Sequence, residues 1–163
     1  MANGRNSSKK KVTGRDNGGF VALPWSVLDC PAYASLSSSA RSLLLEFARQ
    51  FVRDNNGRLL ATRAYLLKRG WKSSDVIHRA KNELIAAGFI FETVKGHRPN
   101  KASWYAVTWR ILDRHPGYDY GVVECFRRGA YRDSMAVKNI SLNPSSGVRP
   151  LMDAPLHGTG DPS

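Results

Sequence analysis

The most regular hydrophobic pattern in the chain lies between residues 36 and 54. Its apolar residues recur at intervals of three and four, as in a helix that buries one face: Ala40, Leu43, Leu44, Phe47 and Phe51. Ser37 or Ser38 can cap this helix, and the Asn-Asn-Gly sequence at residues 55–57 predicts its end. We interpret the stripe as part of a hydrophobic core rather than as a partner-binding face.

Two further helical patterns follow, separated by a Gly-Trp turn. Thr62 can cap the first, which ends at Gly70, and Ser73 or Ser74 can cap the second. The second helix directs three apolar residues inward at helical spacing: Ile77, Ala80 and Leu84. Gly88 stands where a glycine commonly ends a helix. The pattern therefore predicts two successive helices, the second over residues 74–87.

The pattern then changes to that of strands. Residues 89–94 (FIFETV) and 103–109 (SWYAVTW) are rich in β-forming residues, and the polar, basic residues 95–102 connect them. Leu59 and Leu60 form a short extended piece that we expect to pair with these strands. The fold class predicted is α+β, mainly α, with about three to four helices and a small antiparallel sheet. Residues 20–35 add four expected core residues: Trp25, Val27, Leu28 and Tyr33.

Two stretches carry a resemblance to a known family. LIAAGFIFETV, residues 84–94, resembles the join between helix and strand in winged-helix DNA-binding proteins, and ATRAYLLKRGWKSSDVIHRAKNEL, residues 61–84, resembles their helix-turn-helix. The run from Phe20 to Asp113 is similar to small winged-helix and replication-initiator-like domains of bacterial phages and plasmids. The resemblance implies a winged helix-turn-helix domain over residues 20–113. It indicates the fold more specifically than the role, because regulators, initiators and protein-binding modules share this architecture.

The flanking segments differ from this domain in composition. Residues 1–19 are rich in Gly, Asn, Ser and Lys and predict a disordered basic arm, and residues 137–163, rich in Pro, Gly and Ser, predict a disordered tail. Residues 114–136 form a C-terminal extension in which Val122 to Met135 favour one short helix. We expect that helix to pack back on the domain, with contact to a second subunit as the alternative. The tail is a candidate contact for a host or replication protein.

Charge changes the functional picture. The formal net charge is +12, and it is unevenly placed. Residues 1–19 hold five basic and one acidic residue, residues 20–112 hold fourteen and six, and residues 113–163 hold six of each. The excess positive charge therefore belongs to the predicted domain and the segment before it, which favours a polyanionic partner, double-stranded DNA.

The candidate contacts lie on the turn, on the outward face of the second helix and on residues 95–102, which form the tip of the predicted wing. Arginine pairs with guanine and asparagine with adenine in the major groove, which suits Arg79 and Asn82. Basic wing side chains suit phosphates or the minor groove. For each residue, a solvated polar surface is the alternative. The full set of candidate DNA-binding residues is Lys68, Arg69, Lys72, Ser73, Ser74, His78, Arg79, Asn82, Lys95, His97, Arg98 and Lys101.

The sequence gives little support to a catalytic function or a membrane function. The four histidines are dispersed, and the chain contains neither a phosphate loop nor a nucleophile elbow. We therefore expect a non-enzymatic protein without metal or cofactor. Cys30 and Cys125 are interpreted as free thiols. No apolar run approaches the roughly 20 residues of a membrane span, and no signal peptide is apparent, which favours a cytoplasmic, nucleoid-associated location.

These observations lead to one preferred hypothesis and two rivals. The preferred one is a sequence-specific double-stranded DNA-binding protein, either a transcription regulator or an origin-binding replication protein of phage or plasmid type, with homodimerisation left open. The rival from another class is a protein-interaction module of a mobile element that binds and modulates a host protein complex. A third, single-strand binding, would use exposed rings of Trp104, Tyr105 and Trp109.

Overall fold

The computed structural model describes residues 18–97, 99 and 101–133. Over these residues the fold is α+β, with a 3-10 turn at Ala130–Arg132, six helices and three strands: α1 Trp25–Leu28, α2 Pro31–Ala34, α3 Ser38–Gln50, β1 Leu59–Leu60, α4 Arg63–Lys68, α5 Ser74–Ala86, β2 Ile90–Val94, β3 Trp104–Val107 and α6 Val122–Cys125. The described helices outnumber the three to four predicted because two four-residue helices precede α3 and α6 follows the sheet. Residues 1–17, 98, 100 and 134–163 lie outside the described residues. They include most of the predicted arm, Arg98, the end of the predicted helix at Met135 and the whole predicted tail.

Side-chain caps start the three helices that the hydrophobic pattern predicted. The hydroxyl of Ser37 accepts from the Ala40 amide at 3.2 Å, that of Thr62 from the Tyr65 amide at 3.3 Å, and that of Ser73 from the Val76 amide at 3.4 Å. Each cap satisfies an N–H group that has no partner within its own helix. The two serine pairs left open by the sequence are therefore resolved in favour of Ser37 and Ser73.

The three strands form one antiparallel sheet in the order β1-β3-β2. Leu59 faces Tyr105 across the first pair, and Ile90 faces Val107 across the second. This confirms the prediction that residues 59–60 pair with the wing strands. The amide side chain of Gln50 covers the outer edge of β1: its oxygen accepts from the Leu60 N–H, and its nitrogen donates to the Leu60 carbonyl, both at 2.9 Å.

The core lies between α3, α5 and one face of the sheet. The predicted inward faces of both long helices are buried: Ala40, Leu43, Leu44 and Phe47 on α3, and Ile77, Ala80 and Leu84 on α5. The expectation of a core position for Trp25 was wrong, because this residue is 76% exposed. Helix α1 has only four residues, and its buried face is occupied by Val27.

The predicted single helix from Val122 to Met135 was also wrong. Helix α6 ends at Cys125, the chain becomes extended at Phe126, and Gly129 adopts a left-handed conformation before the 3-10 turn. Residues 114–133, called the extension below, nevertheless pack on the domain. The ring of Tyr131 is buried and stacks on Phe89, with the ring centroids 5.2 Å apart.

Asn56 ties the loop before β1 to the end of β3 and to residues 111–113. Its buried side chain donates to the carbonyls of Val107 and Ile111 at 3.0 and 2.7 Å and accepts from the Val107 N–H at 2.7 Å. The Asn56 N–H in turn donates to the Asp113 carboxylate at 2.7 Å. A residue that the sequence marked only as part of a turn therefore connects three segments of the chain.

Candidate nucleic-acid interface

The solvent face of α5 carries most of the candidate residues predicted for this helix. Ser74, His78, Arg79 and Asn82 are exposed, whereas the opposite face is buried in the core. Ser73 is the exception, because its hydroxyl is engaged in capping the helix. The helical spacing therefore presents His78, Arg79 and Asn82 to solvent together, as expected from residues three and four apart.

Two of these side chains contact each other. The amide nitrogen of Asn82 lies 3.0 Å from Nε2 of His78, as when an amide donates to an unprotonated ring nitrogen. Arg79, in contrast, has no hydrogen bond or ion pair with any described residue. Its guanidinium is thus available to a ligand, while Asn82 has to exchange one internal hydrogen bond for a new one.

Glu83 fixes α5 to the start of α3, a role that the sequence did not reveal. One carboxylate oxygen accepts from the Ser37 N–H at 2.7 Å, and the other accepts from the Ser37 hydroxyl at 2.6 Å. The two residues are 46 positions apart, so no local pattern could have signalled the pair. The contact joins the N-terminus of α3 to α5.

A cleft of about 470 Å³ lies between the start of α3 and the turn before α5. Its lining is rich in hydroxyl and basic side chains: Ser38, Ser39, Ser42, Arg69, Gly70, Trp71, Lys72, Ser73 and Val76. Lys72 is exposed and makes no ion pair among the described residues. No carboxylate belongs to this lining, so the cleft offers a chemical environment suited to an anion.

The three basic residues predicted at this turn differ in their partners. Lys68 and Lys72 are exposed, and neither pairs with a described carboxylate. The Nε atom of Arg69 lies 3.0 and 3.3 Å from the two carboxylate oxygens of Glu46, and this hydrogen-bonded pair raises the pKa of Arg69. Much of the positive charge of Arg69 is therefore already compensated within the protein.

The wing comprises β2, β3 and the connecting residues 95–103. The backbones of His97 and Lys101 pair in both directions at 3.0 Å, which closes the tip into a tight loop. Lys95, His97 and Lys101 are exposed there. The structure thus places the described basic residues predicted for the wing, Lys95, His97 and Lys101, in one loop.

A carboxylate from the extension meets the wing at its base. Asp119 accepts a hydrogen bond from the Lys95 N–H at 2.6 Å, and its other oxygen lies 3.5 Å from the Lys101 ammonium. The hydrogen bond from Lys95 and the charge of Lys101 lower the pKa of Asp119. Sequence analysis missed Asp119 because it stands in an irregular segment with no periodicity.

The aromatic residues of the return strand are largely occupied inside the protein. Tyr105 and Trp109 are buried, and the Tyr105 hydroxyl donates to Glu92 at 3.0 Å. Burial is also the main cause that raises the pKa of Tyr105 to about 12. The half-buried Trp104 ring packs against His115, with centroids 5.1 Å apart. These positions disfavour a stacking platform for single-stranded bases.

Other kinds of site were sought in the part of the chain that the structure describes. There, no group of three or more His, Cys, Asp or Glu side chains is arranged to hold a metal ion. Among the same residues no helix is both long and apolar enough to cross a membrane. Cys30 and Cys125 are both free thiols, as predicted. No protein-family model, no curated protein and no solved structure matches this chain.

Proposed function

We propose that this protein binds double-stranded DNA through a winged helix-turn-helix, with α5 in the major groove and the wing beside it. The observation that carries the proposal is the order of elements. Helix α3, strand β1, helices α4 and α5, and strands β2 and β3 follow one another, and the strands form a single antiparallel sheet. A winged helix-turn-helix has this order, with its second helix exposed for base contact.

Charge and exposure support the same interface. Five described cations near the turn, on α5 and at the wing tip are solvent-exposed: Lys68, Lys72, Arg79, Lys95 and Lys101. Such side chains release counterions from DNA when they neutralise phosphates, so affinity would fall with rising salt. The cleft beside Lys72 fits a backbone phosphate, because phosphate oxygens accept from hydroxyl and ammonium donors.

Base discrimination would come from α5. Arg79 would donate two hydrogen bonds to guanine, and Asn82 would leave His78 to pair with adenine. A single unit reads only a short site, so a second copy of the chain on the same DNA would extend the specificity. The protein would act as a transcription regulator or an origin-binding replication protein of phage or plasmid type. It would work beside the nucleoid and without a catalytic site of its own.

One observation favours the rival protein-interaction module. Trp25 and Phe20, on the segment before α3, are 76% and 73% exposed. Tryptophan and phenylalanine are enriched where proteins meet, so this segment would be the docking surface. Binding through apolar side chains would change little with salt, unlike binding to DNA.

The test is selection from a pool of random duplexes at two salt concentrations. The wild type is compared with Arg79→Ala/Asn82→Ala, and Arg49→Ala serves as a control that removes a charge from the exposed side of α3. The wild type and the control should enrich one motif, and the double variant should lose that preference while keeping salt-sensitive binding. Each lost bidentate contact is expected to cost roughly 5- to 150-fold in affinity for the selected site. Absence of both enrichment and salt-sensitive binding in the wild type would contradict the proposal.

A further inference from the structure

The wing is held by the core through β2 and β3, but its described tip residues lie beyond these strands. Its strands have five and four residues, and their register shifts between Glu92 and Val94. Strand β2 also forms one edge of the sheet. A tip beyond its paired strands gains little stability from the two strands by themselves, so contacts from elsewhere help to hold it in one direction.

Asp119 supplies such contacts to both sides of the wing. Its N–H donates to the Thr93 carbonyl at 3.0 Å, on the outer edge of β2. Its carboxylate binds the Lys95 N–H just after β2 and the Lys101 ammonium just before β3. One residue of the extension therefore spans the two limbs from which the tip projects.

The position of Asp119 is itself fixed by the body of the domain. The hydroxyl of the preceding Tyr118 donates to two carbonyls, that of Asp113 at 2.7 Å and that of Asn56 at 3.2 Å. Asp113 and Asn56 are in turn joined by a hydrogen bond. On the other side of Asp119, Val122 is buried. The carboxylate therefore belongs to a segment anchored at both ends.

We propose that Asp119 is the positioning residue of the wing. It holds the tip cations at one angle to α5, so that the tip and α5 contact the same duplex. This inference rests on the proposed function. A carboxylate at this position has two opposing effects, because its negative charge beside a DNA-binding tip also repels phosphate. Removal of the Asp119 charge should therefore strengthen DNA binding if repulsion dominates, and weaken DNA binding if the carboxylate positions the tip.

The experiment compares three variants that each remove one negative charge: Asp119→Ala, Asp119→Asn and the control Asp133→Ala. Asp133 is exposed and pairs with Arg127 at 2.8 Å, away from the wing contacts. Asp119→Ala should weaken binding to the selected duplex about tenfold, the scale of a lost charge-assisted hydrogen bond. The Asp133→Ala protein should bind as well as wild type or better. Asp119→Asn should recover part of the loss, because its carbonyl oxygen can still accept from the Lys95 N–H.

A second readout needs no DNA. The amides of His97 and Lys101 are hydrogen-bonded across the tip, and their hydrogen exchange should accelerate in Asp119→Ala but not in Asp133→Ala. Unchanged exchange, or an Asp119→Ala protein that binds as tightly as Asp133→Ala, would overturn the positioning role. Failure of the wild type to bind any duplex would count against the proposed function alone, since the exchange measurement still decides whether Asp119 holds the wing.

Discussion

Helix α5 and the extension both border the proposed DNA-binding surface, but they are held in different ways. Helix α5 is a regular element of 13 residues with a cap at its start and one buried apolar face. The extension is mostly irregular, and its two helical pieces have four and three residues. Regular backbone hydrogen bonding within the segment therefore stabilises α5 but contributes little to the stability of the extension.

The extension depends on a few specific partners in other parts of the chain. Tyr131 is buried against Phe89, and the nearby Gly88 allows the backbones to approach closely. A Cβ atom on Gly88 would lie 2.7 Å from the carbonyl carbon of Ala130, and this glycine also has a positive φ of 74°. The same glycine thus ends α5 and makes room for the extension.

An irregular segment can be anchored on a domain by one large side chain in the core, as Tyr131 anchors the extension. A helix distributes its burial over several residues at fixed spacing. In the extension, burial is concentrated at Tyr131 and Val122, and the Tyr118 hydroxyl adds hydrogen bonds to the carbonyls of Asp113 and Asn56. Single substitutions should therefore affect the two regions to different extents.

The largest expected effect is that of Tyr131→Ala. Loss of a fully buried aromatic ring costs about 3–5 kcal/mol. The free energy of unfolding, measured by urea denaturation, should therefore fall by that amount. Tyr120→Ala is the matched control, because Tyr120 belongs to the same segment and its side chain is fully exposed. Equal stability of the two variants would show that the extension is not anchored through Tyr131.

A smaller effect is expected at the start of α5. Ser73→Ala removes the cap and should lower the free energy of unfolding by about 1 kcal/mol. Ser74→Ala, one position later and exposed, should change it by less than about 0.5 kcal/mol. Thermal or urea unfolding of the two variants measures the difference. A larger loss for Ser74→Ala would mean that the helix begins one residue later.

The smallest effect should appear in the pH dependence of the wing contact. The pKa of Asp119 is lowered from an ordinary value of 3.8, so its carboxylate stabilises the folded state above that value. The contribution should disappear as the pH falls through the lowered pKa. We therefore expect wild type to exceed Asp119→Asn in stability by a constant amount from about pH 5 upward, and the gap to close in stronger acid. A gap that does not narrow as the pH falls below 3.8 would exclude the Asp119 carboxylate as its source.

Much of the regular structure was predictable from the sequence. The stripes of α3 and α5, the two helices around Gly70 and Trp71, and the pairing of residues 59–60 with the wing strands all follow from local spacing and turn residues. The exposure of His78, Arg79 and Asn82 follows as well, because burial of one helix face fixes the other. That these residues bind DNA stays a prediction.

Other features required the folded chain. Neither the pair of Ser37 with Glu83 nor that of Lys95 with Asp119 has a signal in local sequence, because the partners are 46 and 24 positions apart. The exposure of Trp25 was mispredicted for a related reason: a hydrophobic side chain is buried only where a partner surface exists, and α1 is too short to bury two faces.

Local sequence patterns place the long helices and the strands, since periodicity and capping act over a few neighbouring residues. Which charges of the proposed surface have a partner inside the protein depends on the folded chain. It pairs Arg69 with Glu46 and Lys101 with Asp119, while Arg79 and Lys72 keep no such partner among the described residues. Charge compensation depends on distances of a few ångströms between distant segments, and only the complete fold sets those distances.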